Sequence, residues 1–138
     1  MQIRSTEPTV KGTPERFTGD AWFDAIVTGV EPSRIRSSIV HFAPGARNAW
    51  HVHAAGQTLY VTEGVGRVQA RGGEVLEIRP GDVVQTAPDE WHWHGASPDR
   101  FMTHLTIYEV PEDGRESEWG DQVADAEYLA TPANVARR

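Results

Sequence analysis

The apolar residues of this 138-residue chain come in short runs, each cut off by turn-forming residues before a helical period can develop. Arg34 to Phe42, Gln57 to Glu63, Gly66 to Ala70, Glu74 to Ile78, Val83 to Thr86, Trp91 to Gly95 and Phe101 to Glu109 read as strands. Pro44-Gly45, Arg71-Gly72-Gly73, Pro80-Gly81-Asp82, Ala87-Pro88-Asp89 and Ser97-Pro98-Asp99 separate most of them. Many short strands with no long helical pattern between them predict an all-β fold, an antiparallel sandwich or barrel. Residues 1–16 are polar and broken by Pro8, Gly12 and Pro14, which suits an N-terminal arm or an edge strand. The barrel is expected from 17 to about 110. In the C-terminal segment, 111–138, Ser117 to Leu129 offers a short helical face through Trp119, Val123 and Tyr128. A chain of this length supports one core, so 1–138 reads as a single domain.

Composition removes several classes of function. The formal charge is -7, and the only adjacent basic pair is Arg137-Arg138, simply a basic end, so no surface for nucleic acid is expected. No apolar run approaches the roughly 20 residues that span a bilayer, and residues 1–8 carry no apolar leader, so no membrane is expected and the protein reads as cytoplasmic. Cysteine is absent, which removes disulfides, thiolate nucleophiles and thiolate metal ligands. The single lysine, Lys11, lies in a Gly/Pro/Thr-rich stretch without evident burial and is a poor candidate for amine chemistry.

Histidine is where the chemistry concentrates. His51 and His53 lie two apart, so in extended chain both imidazoles project from one face and can reach a common point. Gly56 permits a bend that brings the Gln57 amide oxygen toward that point. A second element ends in His92 and His94, again a same-face pair. Imidazoles and an amide oxygen that meet at one point can hold one divalent transition metal, and manganese, iron, nickel, cobalt and zinc are all chemically admissible.

The stretch Gly45 to Gly64 resembles the first motif of the cupins, G(X)5HXH(X)3(E/Q)(X)6G, with Gln57 in the last ligand slot. Gly81 to Gly95 is similar to the second cupin motif, with one extra residue between Gly81 and Pro88. The resemblance implies a double-stranded β-helix, jelly-roll-like barrel with a short C-terminal helix, and a metal held by His51, His53, Gln57 and His92. Gln in place of the commoner Glu leaves the full charge on the cation and should lower its affinity.

Further runs, among them Gly56-Gln57-Thr58-Leu59, Glu77-Ile78-Arg79-Pro80-Gly81-Asp82, His92-Trp93-His94-Gly95-Ala96 and Met102-Thr103-His104-Leu105, resemble small bacterial cupins that include manganese-dependent hydroxynitrile lyases. In that group a histidine equivalent to His104 stands near the open metal positions. The resemblance implies a small-molecule substrate, cyanohydrin cleavage or formation, and His104 or His94 as base, with Ser38, Val40, Tyr108, Met102 and Thr106 around the substrate. A metal-dependent dioxygenase, an isomerase and a non-catalytic small-molecule-binding cupin are the competing readings. His41 shares a face with Ile35 and Ile39 and is expected to face away from the metal. Trp50, Trp91 and Trp93 alternate with cavity-facing histidines, so they need cover from Phe17 to Phe23, from Trp119 or from a second subunit. Cupins commonly pair, and a homodimer is the expectation.

Overall fold

The computed structural model describes residues 1–136; Arg137-Arg138, the basic end, lies outside the described residues. The strands, in chain order, are β1 (Val10–Lys11), β2 (Phe17–Thr18), β3 (Ala21–Thr28), β4 (Ile35–Phe42), β5 (Arg47–Asn48), β6 (His51–His53), β7 (Gln57–Gly64), β8 (Gly66–Ala70), β9 (Leu76–Ile78), β10 (Val83–Thr86), β11 (His92–Ala96), β12 (Met102–Glu109) and β13 (Ser117–Trp119), followed by a single-turn helix α1 (Asp125–Tyr128). They form two antiparallel sheets, one ordered β1-β3-β4-β12-β7-β10, the other β13-β6-β11-β5-β2 with β8 joined to β11 and β9 to β8. The all-β expectation therefore holds, and every strand run read from the sequence lies within two residues of an observed strand.

Two-residue alternation builds the interior. In β7, Gln57, Leu59 and Val61 are buried while Tyr60 is exposed, and in β12 Met102, His104 and Thr106 are buried. Phe42, Val61, Val68, Ile78 and Met102 fill one core between the sheets. On the opposite side of β11, Trp50 and Trp93 pack with Val75, Val123 and Tyr128. The Arg71 guanidinium lies 4.5 Å from the Trp91 ring centre and 5.1 Å from that of Trp50.

Two expectations are corrected. Ser117 to Trp119 is a strand paired with β6, and the helix covers only Asp125–Tyr128. The edge of β6 offers ladder hydrogen bonds to a segment too short for the sequence to reveal its period. Phe17 to Phe23 and Trp119 do not cover the tryptophans: Val123 and Tyr128 do, while Phe17 and Trp119 line the cavity on the other side. The C-terminal cover is pinned by Arg47, whose guanidinium donates to Val123 O (2.8 Å) and Asp125 Oδ1 (2.6 Å), and by the Tyr128 hydroxyl donating to Ala96 O (2.6 Å). The tryptophan face thus calls for no partner.

Gly64 closes the first histidine motif, and its backbone shows why. Its φ is +77°, and a Cβ there would stand 1.9 Å from Phe101 O. Gly64→Ala should therefore cost about 3 kcal/mol from left-handed backbone plus steric conflict. Gly45 has φ of +81° but open space around it, so Gly45→Ala should cost only about 1 kcal/mol. Chemical denaturation of both variants checks this, and equal losses would contradict it.

Candidate metal centre

His51 and His92 face each other directly in the ladder between β6 and β11. Each donates its Nδ1 proton to the carbonyl two residues earlier, His51 to Ala49 O and His92 to Glu90 O, both at 2.8 Å. A carbonyl only accepts, so both rings carry their proton on Nδ1 and keep a lone pair on Nε2. His53 Nδ1 lies 3.1 Å from Ser117 Oγ. The ligating nitrogens of His51, His53 and His92 lie within 4.8 Å of one another, and all three residues are buried. These three histidines are positioned to bind a metal ion.

Gln57, at the start of β7, donates its amide to Thr106 Oγ1 at 2.6 Å and turns its Oε1 to within 3.1 Å of His92 Nε2. With the His92 proton committed to Glu90 O, that contact opposes two lone pairs. Such a contact is unfavourable alone and becomes favourable around a cation, so the donor set fits a metal on its own chemistry. The three imidazoles, with the Gln57 amide oxygen beside them, offer nitrogen and neutral oxygen, suited to first-row divalent ions without selecting one.

His51, His53 and Gln57 open onto a cavity of about 320 Å³. His94 and His104 line it, with His104 Nε2 2.9 Å from His94 Nδ1. Asn48 Oδ1 accepts the His94 backbone N–H at 2.9 Å, and its Nδ2 stands 3.1 and 3.3 Å from the two His94 ring nitrogens. A donor nearly equidistant from both nitrogens sits over the ring face, so it clamps the ring without choosing its tautomer.

Of the expected pocket residues, Ser38, Val40, Thr106 and Tyr108 line this cavity, and the Tyr108 ring centre lies 4.4 Å from that of His53. Burial raises the Tyr108 phenol above its ordinary value, so it stays a proton donor. Met102 is not brought to the cavity: it is fully buried in the apolar core. Ser38 and Val40 pair across from Thr106 and His104. His41 faces away, as expected, bound to Asp24 Oδ2 (3.0 Å) and Thr103 Oγ1 (3.2 Å). A larger hollow of about 480 Å³ touches Gln57 and Tyr108 from another side, but no histidine lines it. Sequence reasoning missed Asn48 and Ser117 and gave Trp119 another role. In the structure the Trp119 ring stacks on His51 at 4.6 Å and 18°.

Burial is the largest cause holding the imidazoles below the usual value of 6.5: His51 and His94 well below, His92 below, and His53 and His104 at about 4. Neighbouring imidazoles add to the shift at His51, His53 and His94. The unfolded chain takes up these protons near pH 6.5 and the folded one only at lower pH, about 4 for His53 and His104, so stability is full above 6.5 and is lost as pH falls below it. Thermal melts of metal-free protein between pH 7.5 and 4.5 should show a Tm that falls steadily below 6.5. A flat profile would contradict the neutral cluster.

The description of a cupin domain matches residues 38–108. A protein named (R)-mandelonitrile lyase from Granulicella tundricola is 48% identical over 130 residues, 93% of this chain and 98% of that one. The crystal structure of a cupin-like protein from Thermotoga maritima matches with a TM-score of 0.83 at 35% identity, covering 96% of this chain and 98% of the other. A cupin-2 domain from Rhodospirillum rubrum, at 16% identity, a TM-score of 0.70 and coverage of 92% and 82%, shares the fold alone. With its two sheets, its histidine cluster and near full-length identity to a relative of the same size, the chain belongs to the cupin family.

Proposed function

We propose that the protein is a metal-dependent lyase that cleaves and forms cyanohydrins of small carbonyl compounds, with one divalent ion, manganese first, held by His51, His53, Gln57 and His92. The observation that carries this reading is the pairing of His104 with His94 on the wall of the cavity that the metal donors face. The name of the 48% identical relative supports the choice of reaction. The bound metal supplies Lewis-acid polarisation of the substrate hydroxyl, lowering its pKa.

The protein residues then manage one proton. His104 and His94 are neutral at pH 7, because burial holds them below the ordinary imidazole range. The two neutral rings carry one N–H each, one of which bridges the 2.9 Å contact, and the pair can accept a third proton, taken from the hydroxyl, on His104 or His94. The carbon–carbon bond breaks, its electron pair leaves with cyanide, and the hydroxyl carbon becomes a carbonyl. An imidazolium in so apolar a place is a strong acid, so it returns the proton to cyanide and the products are an aldehyde and hydrogen cyanide. Ser38, Val40 and Tyr108 surround the organic group, and Thr106 orients Gln57. The reading also includes a soluble, cytoplasmic homodimer, supported by the exposed Tyr60, Val83 and Ile107 on the outer face of the first sheet and tested by sedimentation.

Manganese-loaded protein mixed with mandelonitrile should release benzaldehyde. His104→Ala should lower kcat/KM by about 100-fold or more while retaining the metal. His51→Ala should lose metal and activity together. An unchanged rate in His104→Ala would sink the assignment, and oxygen uptake without benzaldehyde release would favour a dioxygenase.

A further inference from the structure

Three of the four proposed metal ligands, His51, His53 and His92, stand on the β6–β11 pairing, but the residues behind two of them come from β13. Register places Ser117 opposite His53 and Trp119 opposite His51. The Ser117 hydroxyl meets His53 Nδ1, and the Trp119 indole lies nearly parallel on the His51 ring. The Arg16 guanidinium carbon also lies over the indole, 4.9 Å from the ring centre, and both Arg16 and Trp119 line the cavity. The indole thus contacts a cavity-lining cation as well as the ring of a proposed metal donor.

The hydrogen bond to Ala49 O fixes which His51 nitrogen is free, yet a single bond leaves the ring able to rock about it. His92 at 4.3 Å, His94 at 5.2 Å and His53 at 5.3 Å limit His51 within the cluster. Trp119 closes the face turned toward β13. An imidazole that ligates a dication becomes electron-poor, and an indole face attracts such a ring as it attracts a cation. The stack therefore holds the free His51 in place and favours its metal-bound form more.

We infer that Trp119 is a positioning residue for the metal, setting ion affinity through the orientation of His51. This rests on the metal site proposed above and extends it to a side chain that touches no metal.

The test uses the full chain, stripped of metal and titrated with Mn²⁺ alone by calorimetry and with Co²⁺ by visible absorption and tryptophan fluorescence. Trp119→Ala should weaken Mn²⁺ binding about tenfold and alter the shape of the Co²⁺ spectrum. Trp119→Phe, which keeps an aromatic face, should recover affinity to within about threefold of wild type and restore the spectrum. Quenching of emission by Co²⁺ should fall sharply in both variants, since the indole beside the metal is gone while Trp22, Trp50, Trp91 and Trp93 remain. Unchanged Mn²⁺ affinity and Co²⁺ spectrum in Trp119→Ala would overturn the inference. So would equal weakening in both variants together with equal loss of Tm, the mark of a general packing role. His92→Ala separates the two levels: if it binds Mn²⁺ like wild type, the metal site falls and this inference with it. If it binds none while Trp119→Ala binds normally, only the role of Trp119 falls.

Discussion

His92 sits directly across from His51 in a ladder where β11 also pairs with β5 at Gly95 and with β8 along its other edge. That arrangement lets backbone hydrogen bonds, rather than side-chain contacts, set the distance between two metal donors. A slip of one residue would turn His92 outward and bring Trp91 or Trp93 inward. Such a slip is heavily penalised, because Trp93 is fully buried among Val75, Val123 and Tyr128 and its indole N–H donates to Gln69 Oε1 at 2.8 Å. The apolar layer on one side of β11 is thus what keeps the histidines in register on the other.

The same packing creates an electrostatic problem. Five buried imidazoles share a small volume, and charging any of them is opposed by lost solvation and, at several, by its neighbours. Neutral rings solve this only if their nitrogens have partners, and carbonyls and hydroxyls on one side leave the ligating lone pairs of His51, His53 and His92 converging on the other. A bound dication would satisfy those lone pairs and add charge that the neutral Gln57 would not cancel. Positive potential without a compensating carboxylate suits a reaction that generates an anion beside it. Gln57 and Thr106 preserve that balance by fixing which end of the amide faces inward.

Much of this could be read from the chain before folding, because same-face pairs in β-structure depend only on residue parity: His51 with His53, His92 with His94, His104 with Thr106. Parity says nothing about depth along the barrel. Met102 shares the His104 face yet lies further along β12, opposite Phe42 and Gly64, where the interior is solid core rather than cavity. Nor does parity reach a three-residue strand, so Ser117 and Trp119 could not be assigned to the wall of the site from pattern alone. The cover over the tryptophans was misplaced for a related reason. The buried Arg47 holds the buried Val123 through its carbonyl and the exposed Asp125 through its carboxylate, the latter 78 residues along the chain, contacts with no local signature.

The two sides of the cavity differ in how firmly they are held. The donor side belongs to paired strands with buried ladders on both edges. The wall from β1 and the turn before β2 is held more lightly: β1 pairs with β3 at Val10 and Lys11, and the rest is tied by the exposed Lys11–Asp20 ion pair at 2.9 Å, Gln122 donating to Pro14 O and Glu15 O, and Thr9 bonded to Asp24. Exposed pairs of this kind contribute about 1 kcal/mol or less each, and segments so held are the first to open locally. Local opening is therefore expected at β1 and the turn before β2 rather than along β6–β11, where the candidate histidine donors stand. Trp119 lies between the two, with Arg16 of that turn over its ring and His51 stacked on it.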